Sequence, residues 1–150
     1  MSLAEKSTDS VSVTIRIAEP KDANELSAMN YEFNDVEVSS EYVREALHSN
    51  QEIVAIASID NTIAGFACAQ FYSSFCYDSP WGEITEMYVR PPYRRQGVGS
   101  ALLAFLEEAL ARRGISSIKI LTGQDNAVAR SLYTGIGYIE EDEIVLTKDL

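Results

Sequence analysis

The sequence has 150 residues, a length that predicts one domain built around a single core. Hydrophobic residues make up 46% of the chain and charged residues 23%, which is typical of a folded globular protein and excludes extensive disorder. The 23 acidic and 12 basic residues give a formal net charge of −11. This charge excludes nucleic-acid binding through a broad basic face and favours a cationic partner.

The N-terminal residues lack the features of a targeting segment. Residues 1–10 are polar and are predicted to form a flexible N-terminus ahead of a single domain at residues 11–150. Residues 1–12 contain no apolar signal-peptide core, and no apolar run reaches the length that a membrane-spanning helix needs. We therefore expect a cytoplasmic protein without a membrane partner.

The first half of the chain combines strand and helix patterns. The predicted elements are, in chain order, a strand at 11–18, a helix that Pro20 begins, a shorter helix at 41–48, strands at 53–59 and 63–71, and a loop at 72–81. The first strand is expected to bury one face, which carries Val11, Val13, Ile15 and Ile17. Asp60-Asn61 between the next two strands predicts a β-hairpin.

The second half alternates strands with helices. The predicted elements are a strand at 83–89, a long helix from residue 98 to Arg113, a strand at 115–121, a helix at 126–134 and a last strand from Gly137 to about Thr147. Apolar residues at helical spacing define the expected core face of the long helix: Val98, Ala101, Leu102, Phe105 and Ala109. The order of elements predicts a mixed α/β domain.

Metal-binding and redox chemistry have little support in the sequence. The chain has one histidine, His48, and two separated cysteines, Cys68 and Cys76. This set supplies neither zinc-ligand spacing nor a disulfide framework. Both cysteines have apolar neighbours, so we expect buried free thiols.

The strongest chemical signal is the loop RRQGVG, which lies between a predicted strand and the long helix. Glycine lets a backbone approach a ligand closely, and a helix N-terminus offers unpaired N–H groups together with a favourable dipole for anions. Such a loop can hold a pyrophosphate. It matches neither the P-loop pattern nor the Rossmann fingerprint. The alternative is that Gly97 and Gly99 only permit a tight turn.

The stretch EITEMYVRPPYRRQGVGSALL resembles the central motif of the GNAT superfamily, the Gcn5-related N-acetyltransferases. That motif has Arg or Gln, then two variable residues, Gly, one variable residue, and Gly or Ala. Its three fixed positions correspond here to Arg94, Gly97 and Gly99. A second block is similar to the family's N-x-x-A-x-x-x-Y, with Asn126, Ala129 and Tyr133, and Tyr138 replaces the usual Phe in the ending that follows. The resemblance implies a central, mostly antiparallel twisted sheet with splayed fourth and fifth strands, flanked by helices.

The resemblance also implies acetyl-CoA as the co-substrate and no metal. Backbone N–H groups of the RRQGVG loop would hold the pyrophosphate, and the fourth strand would offer backbone groups to the pantetheine arm. The implied cofactor-binding residues are Met87, Val89, Arg94, Arg95, Gln96, Gly97, Val98, Gly99, Ser100, Asn126 and Tyr133. A helix cap is an alternative and compatible role for Asn126.

Acetyl transfer to an amine needs an acid and a base. The resemblance implies Tyr133 as the acid for the leaving thiolate; its alternative is a core side chain. At pH 7 an alkyl ammonium is neutral only about once in 2,500 molecules, a cost of about 4.6 kcal/mol, so a carboxylate base is expected. Glu83 aligns with the base of histone-acetyltransferase-like members, and Glu86 with an acid common in polyamine and aminoglycoside acetyltransferases. Regular alternation places them on opposite strand faces, but the family's strand carries a bulge that can re-aim a side chain.

The acceptor is the least defined part of the prediction. Related enzymes bind it with the first two helices and the loop after the third strand, here residues 31–35, 38–44 and 71–81. The acidic and aromatic residues of these segments suit the binding of a small cationic amine. The alternative is that the acids are ordinary surface residues and the aromatics belong to the core. The sequence predicts an N-acetyltransferase acting on such an amine; the alternatives are a protein or peptide acetyltransferase and a non-catalytic acyl-CoA sensor. A homodimer is a further expectation from the resemblance.

Overall fold

The structure is a computed structural model that describes residues 11–49 and 51–150, so the predicted flexible N-terminus lies outside the described residues. The strands are β1 (Val13–Ile17), β2 (Ile53–Ile59), β3 (Thr62–Tyr72), β4 (Trp81–Val89) and β5 (Ser117–Ile120). The helices are α1 (Ala23–Asn34), α2 (Ser40–Ser49), α3 (Val98–Ala111) and α4 (Ala127–Gly135). The chain divides into two compact units, one ending at Ile120 and one beginning at Leu121.

The first unit contains one five-stranded sheet in the order β1-β2-β3-β4-β5. The pairs from β1 to β4 are antiparallel, and β5 runs parallel to β4. The β4–β5 register covers Trp81 to Ile84, and β4 continues to Val89 without a β5 partner among the described residues. The predicted mixed α/β class, with a mostly antiparallel sheet, is confirmed.

The predicted hairpin between β2 and β3 is also confirmed. Asp60 and Asn61 both have positive φ angles, 49° and 62°. A two-residue turn with two positive φ angles twists in the same sense as the flanking strands, and Asn and Asp tolerate this conformation well. The turn sets the register in which Ile59 faces Thr62.

Two different layers cover the sheet. Helices α1 and α2 contribute Leu26, Met29, Val43 and Leu47 to a core with Phe66 and other large side chains of β2, β3 and β4. Strand alternation directs the small buried residues to the opposite face, namely Ala55, Ala57, Ala67 and Ala69. Helix α3 packs against β2, β3 and β4, and small side chains allow such a helix to lie close to the strands.

Two burial predictions in this unit are wrong. Val11, which precedes β1, and Ile17, at its end, are about half exposed, at 49% and 48%. Strand β1 lies at the edge of the sheet, where a strand has a neighbour on one side only. In α3 the fully buried side chains are Leu102, Leu103, Leu106 and Leu110 together with Val98. The buried face of α3 is therefore rotated from the predicted one. It contains the larger leucines rather than Ala101, Phe105 and Ala109.

The second unit contains α4 and an extended C-terminal segment. The predicted helix is confirmed, but the predicted strand from Gly137 to Thr147 is wrong, because no described residue of this segment belongs to a strand. A strand needs a neighbour that accepts and donates its backbone hydrogen bonds. The segment instead has a side-chain contact within the unit, where Arg130 donates to both carboxylate oxygens of Glu140 at 2.8 and 2.9 Å.

None of the helices in the described ranges is both long enough and apolar enough to cross a membrane.

Candidate active site

The loop that precedes α3 has the backbone geometry of an anion-binding helix start. Gly97 caps the helix with φ +80°, a left-handed conformation that favours glycine, and nothing lies within 4 Å of the position that a Cβ would take. The first helical hydrogen bond runs from Ala101 N–H to Gly97 O at 3.0 Å. The N–H groups of the preceding turn, at residues 98–100, are therefore available to an anion.

The side chains of this loop are partly engaged with the chain itself. Arg94 Nε donates to Val89 O at 2.8 Å, and its guanidinium lies 5.9 Å from the centre of the Tyr88 ring. Gln96 Nε2 donates to Pro92 O at 3.1 Å, and Arg95 has a positive φ of 62°. These contacts fix the path of the loop, so its predicted anion contacts would come mainly from backbone N–H groups and from Arg95.

Strand β4 contains the bulge that the resemblance implies. Cys68 pairs with Glu86 but the next residue, Ala69, pairs with Ile84, so Thr85 is the extra residue. Thr85 Oγ1 donates to Cys68 O at 3.3 Å across the bulge. Because Glu83 pairs with Gln70, two residues from Cys68, the bulge brings Glu83 and Glu86 to the same face of the sheet.

The face that carries Glu86 is the one covered by α1 and α2, and a cavity of about 200 Å³ lies there. Glu86 is exposed at its edge, Glu52 is partly buried and Cys68 is buried. The described residues that line the cavity are Leu26, Asn30, Val38, Tyr42, Val43, Ala46, Leu47, Glu52, Val54, Phe66, Cys68 and Glu86. This lining is apolar apart from two carboxylates and a few neutral polar groups, and it contains no Lys, Arg or His.

The electrostatics of the cavity raise the proton affinity of its acids. Burial, and then the charge of Glu52, raise the pKa of Glu86 above its usual value. Burial also raises the pKa of Glu52, against hydrogen bonds from Cys68 and Gln70. The pKa of the Cys68 thiol is raised well above its usual value by burial and by the two carboxylates, so Cys68 is protonated and a poor nucleophile.

Glu83 has a different setting although it shares this face. Its Oε2 lies 3.8 Å from Lys119 Nζ on the neighbouring strand β5, and it does not line the cavity. The Lys119 side chain is 46% exposed and that of Glu83 is 23% exposed, so solvent partly screens this pair. Of the two predicted bases, Glu86 therefore lines the cavity and Glu83 does not.

The other predicted residues of β4 lie where the strand has no β5 partner. Met87 pairs with Ala67 and Val89 with Gly65 on the β3 side, which leaves their opposite backbone edge without a described strand. The Val89 carbonyl already accepts from Arg94, and a carbonyl can accept a second hydrogen bond. Along the edge that the resemblance assigns to pantetheine, this part of β4 thus has no strand partner among the described residues.

The two predicted residues of the second unit sit at its helix. Asn126 Oδ1 accepts from Ala129 N–H at 3.1 Å, so the predicted cap of α4 is confirmed. Tyr133 is buried, and burial raises the pKa of its hydroxyl. Its ring lies 6.0 Å from that of Tyr138, centre to centre. A tyrosine of raised pKa keeps its proton at neutral pH.

Comparison with known sequence families decides the identity of the fold. The profile of the acetyltransferase (GNAT) family matches residues 21–138, which is most of the chain and extends across both units. The chain belongs to the acetyltransferase (GNAT) family. The enzyme class predicted from the two sequence blocks, an N-acetyltransferase, is thereby confirmed.

Solved structures share the GNAT fold at low sequence identity. The aminoglycoside N-acetyltransferase AAC(6')-Iy, in complex with a bisubstrate analogue of CoA and acetylneamine, superposes with a TM-score of 0.80 at 19% identity, covering 93% of this chain and 99% of that one. The aminoglycoside acetyltransferase meta-AAC0020, from an uncultured soil metagenomic sample, gives 0.78 at 17% identity over 92% and 95%. The ribosomal-protein-alanine N-acetyltransferase of Brucella melitensis biovar Abortus 2308 gives 0.78 at 18% identity over 92% and 99%.

Glu52 is the residue of this GNAT protein that sequence reasoning missed. It belongs to neither sequence block and precedes β2, so no motif pointed to it. The available signal was the alternation in β2: Val54 lies on the α1/α2 face, and Glu52 is two residues before it. Among the acids predicted for the acceptor site, Glu32 is instead held by Arg90 at 3.0 Å and by the Tyr88 hydroxyl at 3.1 Å. His48 lies exposed near the end of α2.

Proposed function

We propose that the protein transfers the acetyl group of acetyl-CoA directly to a primary amine of a small cationic molecule. The observation that carries this proposal is the cavity of about 200 Å³, where the described lining contains two carboxylates and no basic side chain. Opposite charge and an apolar lining suit an alkylammonium group. The volume is below the usual range for a whole drug-sized ligand, so one amine-bearing arm of the acceptor would enter it.

The loop residues 94–100 fit the diphosphate of acetyl-CoA. The left-handed cap at Gly97 and the free N–H groups of the first turn of α3 form an anion site that needs no side-chain rearrangement. Arg95 adds positive charge, and Met87 and Val89 offer backbone groups of β4 to the pantetheine. Asn126 uses Oδ1 in its helix cap, so its Nδ2 would make the proposed cofactor contact. When bound, acetyl-CoA supplies the activated acetyl group.

Glu86 is the proposed general base. Its exposure at the cavity edge leaves it accessible to an incoming amine, and a raised pKa makes its carboxylate a stronger base than an ordinary Glu. Glu83 is the weaker candidate because it lies beside Lys119. Glu86 takes one proton from the ammonium, and this proton is later released to solvent. As the neutral amine attacks, a C–N bond forms, the C–S bond breaks and Tyr133 gives its proton to the sulfur. The second proton that leaves the nitrogen restores the tyrosine hydroxyl.

Tyr133 is the proposed donor of the proton to sulfur. A CoA thiol has a pKa near that of free cysteine, about 8.5 or somewhat above. Its thiolate is therefore a moderately good leaving group, and protonation of the sulfur makes its departure easier. A buried phenol that stays protonated at neutral pH can give its proton at the moment the thiolate leaves. Neither Cys68 nor Cys76 takes part, because transfer is direct and needs no covalent enzyme intermediate.

The test is CoA release from acetyl-CoA in the presence of aminoglycosides, polyamines, amino acids, and peptides with a free lysine or N-terminus. We expect an amine-dependent rate with a small polycationic amine, above the hydrolysis rate without acceptor. In Tyr133→Phe, kcat should fall by roughly 10²–10⁴ while the Kd for acetyl-CoA stays within about threefold.

The matched control is Tyr138→Phe, which removes a hydroxyl from the neighbouring ring and keeps the packing. It should retain turnover. If CoA release depended only on peptides, the proposed acceptor would be a protein and not a small amine. Binding of acetyl-CoA with no amine-dependent rate across the panel would contradict the proposed transferase activity and favour a sensor.

A further inference from the structure

Glu52 and Glu86 occupy the same cavity from opposite sides of the central strand. Val54 pairs with Cys68 on β3, and Cys68 pairs with Glu86 on β4, so Cys68 separates the β2 side from the β4 side. Glu52, two residues before Val54, lies on the same face. The neighbouring Cys68 and Gln70 side chains oppose the effect of burial and lower the pKa of Glu52.

Several elements contribute groups to the cavity that Glu52 and Glu86 share, and none of the described ones is cationic. Glu52 also lines a neighbouring cavity, and the one basic side chain among the described residues there is Arg113. Helix α1 contributes Leu26 and Asn30, and α2 contributes Tyr42 and three aliphatic residues. The sheet contributes Val54, Phe66 and the protonated thiol of Cys68. No Lys, Arg or His is among the described residues that line the cavity, so the mutual repulsion of the two carboxylates has no compensating positive charge there.

We infer that Glu52 is a positioning residue for the transfer reaction: its carboxylate, in the same cavity as Glu86, attracts the cationic acceptor and strengthens Glu86 as a base. This inference rests on the proposed function, in which Glu86 is the base. Two acids in a partly dehydrated cavity do not ionise independently, and their protons leave in two steps that belong to the pair. The positive charge of an entering ammonium favours ionisation of both carboxylates, which keeps Glu86 in the form that can accept the amine proton.

The expected pH dependence follows from the direction of the pKa changes. The charge of Glu52 raises the pKa of Glu86, so Glu86 is a free base only at a higher pH than it would be alone. The rate falls when Glu86 becomes protonated, which places the acidic limb of the pH profile at this elevated position. Removing the Glu52 charge lowers the pKa of Glu86 and shifts the limb to lower pH.

The experiment compares the pH profile of kcat/KM for the best small amine in the unmodified enzyme and in Glu52→Gln. In the variant, the rate at pH 5 relative to its own plateau should rise at least about twofold, and the acceptor KM should rise because one attractive charge is lost. Glu52→Asp keeps the charge and should restore the original limb. Glu45→Gln makes the same charge change on the exposed surface of α2 and should leave the limb in place.

An acidic limb that stays in place in folded Glu52→Gln, or moves to higher pH, overturns the inference. If the variant does not fold, carboxyl-carbon NMR titration of the unmodified protein provides the test: two coupled steps for Glu52 and Glu86 support the pair, and independent single steps overturn it. Failure of the proposed function is distinguishable from failure of this inference. It would appear as the absence of amine-dependent turnover in the unmodified enzyme.

Discussion

The loop at residues 94–100 and the cavity beside Glu86 are both candidate ligand sites, but they consist of different kinds of groups. The loop is one continuous segment whose ligand groups are backbone N–H donors at the start of α3. The cavity joins side chains of two helices and three strands, and its charged groups lie far apart in sequence. A contiguous backbone site is specified by a short motif, whereas a side-chain site depends on which elements the fold brings together. The two sites should therefore respond differently to substitution.

The largest expected effect is on the cavity, in Glu86→Gln. The variant keeps the shape of the side chain but cannot accept the amine proton, so kcat should fall by roughly 10²–10⁴ while the KM for acetyl-CoA stays within about threefold. Glu83→Gln should cause a much smaller loss, because Glu83 lies beside Lys119 and outside the cavity. Steady-state kinetics with both substrates varied measures the difference. A larger loss in Glu83→Gln than in Glu86→Gln would reverse the assignment of the base.

An intermediate effect is expected at the loop, in Gly97→Ala. A side chain at φ +80° costs about 1–2 kcal/mol, although there is room for the Cβ itself. We expect lower thermal stability and a KM for acetyl-CoA about tenfold higher, with the acidic limb of the pH profile unchanged.

The matched control for that change is Gly123→Ala. This position also has open space for a Cβ, and its φ lies outside the positive region. It should retain both stability and the KM for acetyl-CoA. If Gly97→Ala raised the acceptor KM instead of the acetyl-CoA KM, the assignment of the loop to the diphosphate would be wrong.

The smallest expected effect is in the wall of the cavity, in Cys68→Ala. A nucleophilic cysteine would be essential, but the raised pKa of Cys68 indicates that its thiol is protonated. We expect turnover to fall by less than about tenfold and stability to fall by about 1 kcal/mol from the small cavity that is left. Cys76→Ala, in the exposed loop before β4, should match the unmodified enzyme. Complete loss of turnover in folded Cys68→Ala would require a covalent mechanism.

The acidic pair of the first helix illustrates why acids near a site need structural context. Glu32 lies in a segment that the sequence favours for acceptor binding, yet it forms an ion pair with Arg90 and accepts from the Tyr88 hydroxyl. Arg90 also binds Glu25 at 3.0 Å. The two acids therefore join α1 to the end of β4, and the Arg90 side chain lowers the pKa of Glu32 through its hydrogen bonds.

The sequence by itself determined the family, the order of most elements, the hairpin turn at Asp60-Asn61, the cap at Asn126 and the loop around Gly97. Each of these depends on residues that are close together in the chain, where local backbone preferences and capping hydrogen bonds act. The sequence also misassigned the buried face of α3 and predicted a strand after Gly137, because helix rotation and strand formation depend on the partner that each element finds.

Only the tertiary structure distinguished the surroundings of the two glutamates of β4. The extra residue at Thr85 changed which face Glu86 occupies, and alternation alone could not reveal this. The pairing of β2, β3 and β4 then brought Glu52 to the cavity that Glu86 lines, on the other side of Cys68. The two glutamates are 34 positions apart in the sequence. The proton affinity of a carboxylate depends on burial and on neighbouring charge, and both are set by distant parts of the chain that meet only in the folded protein.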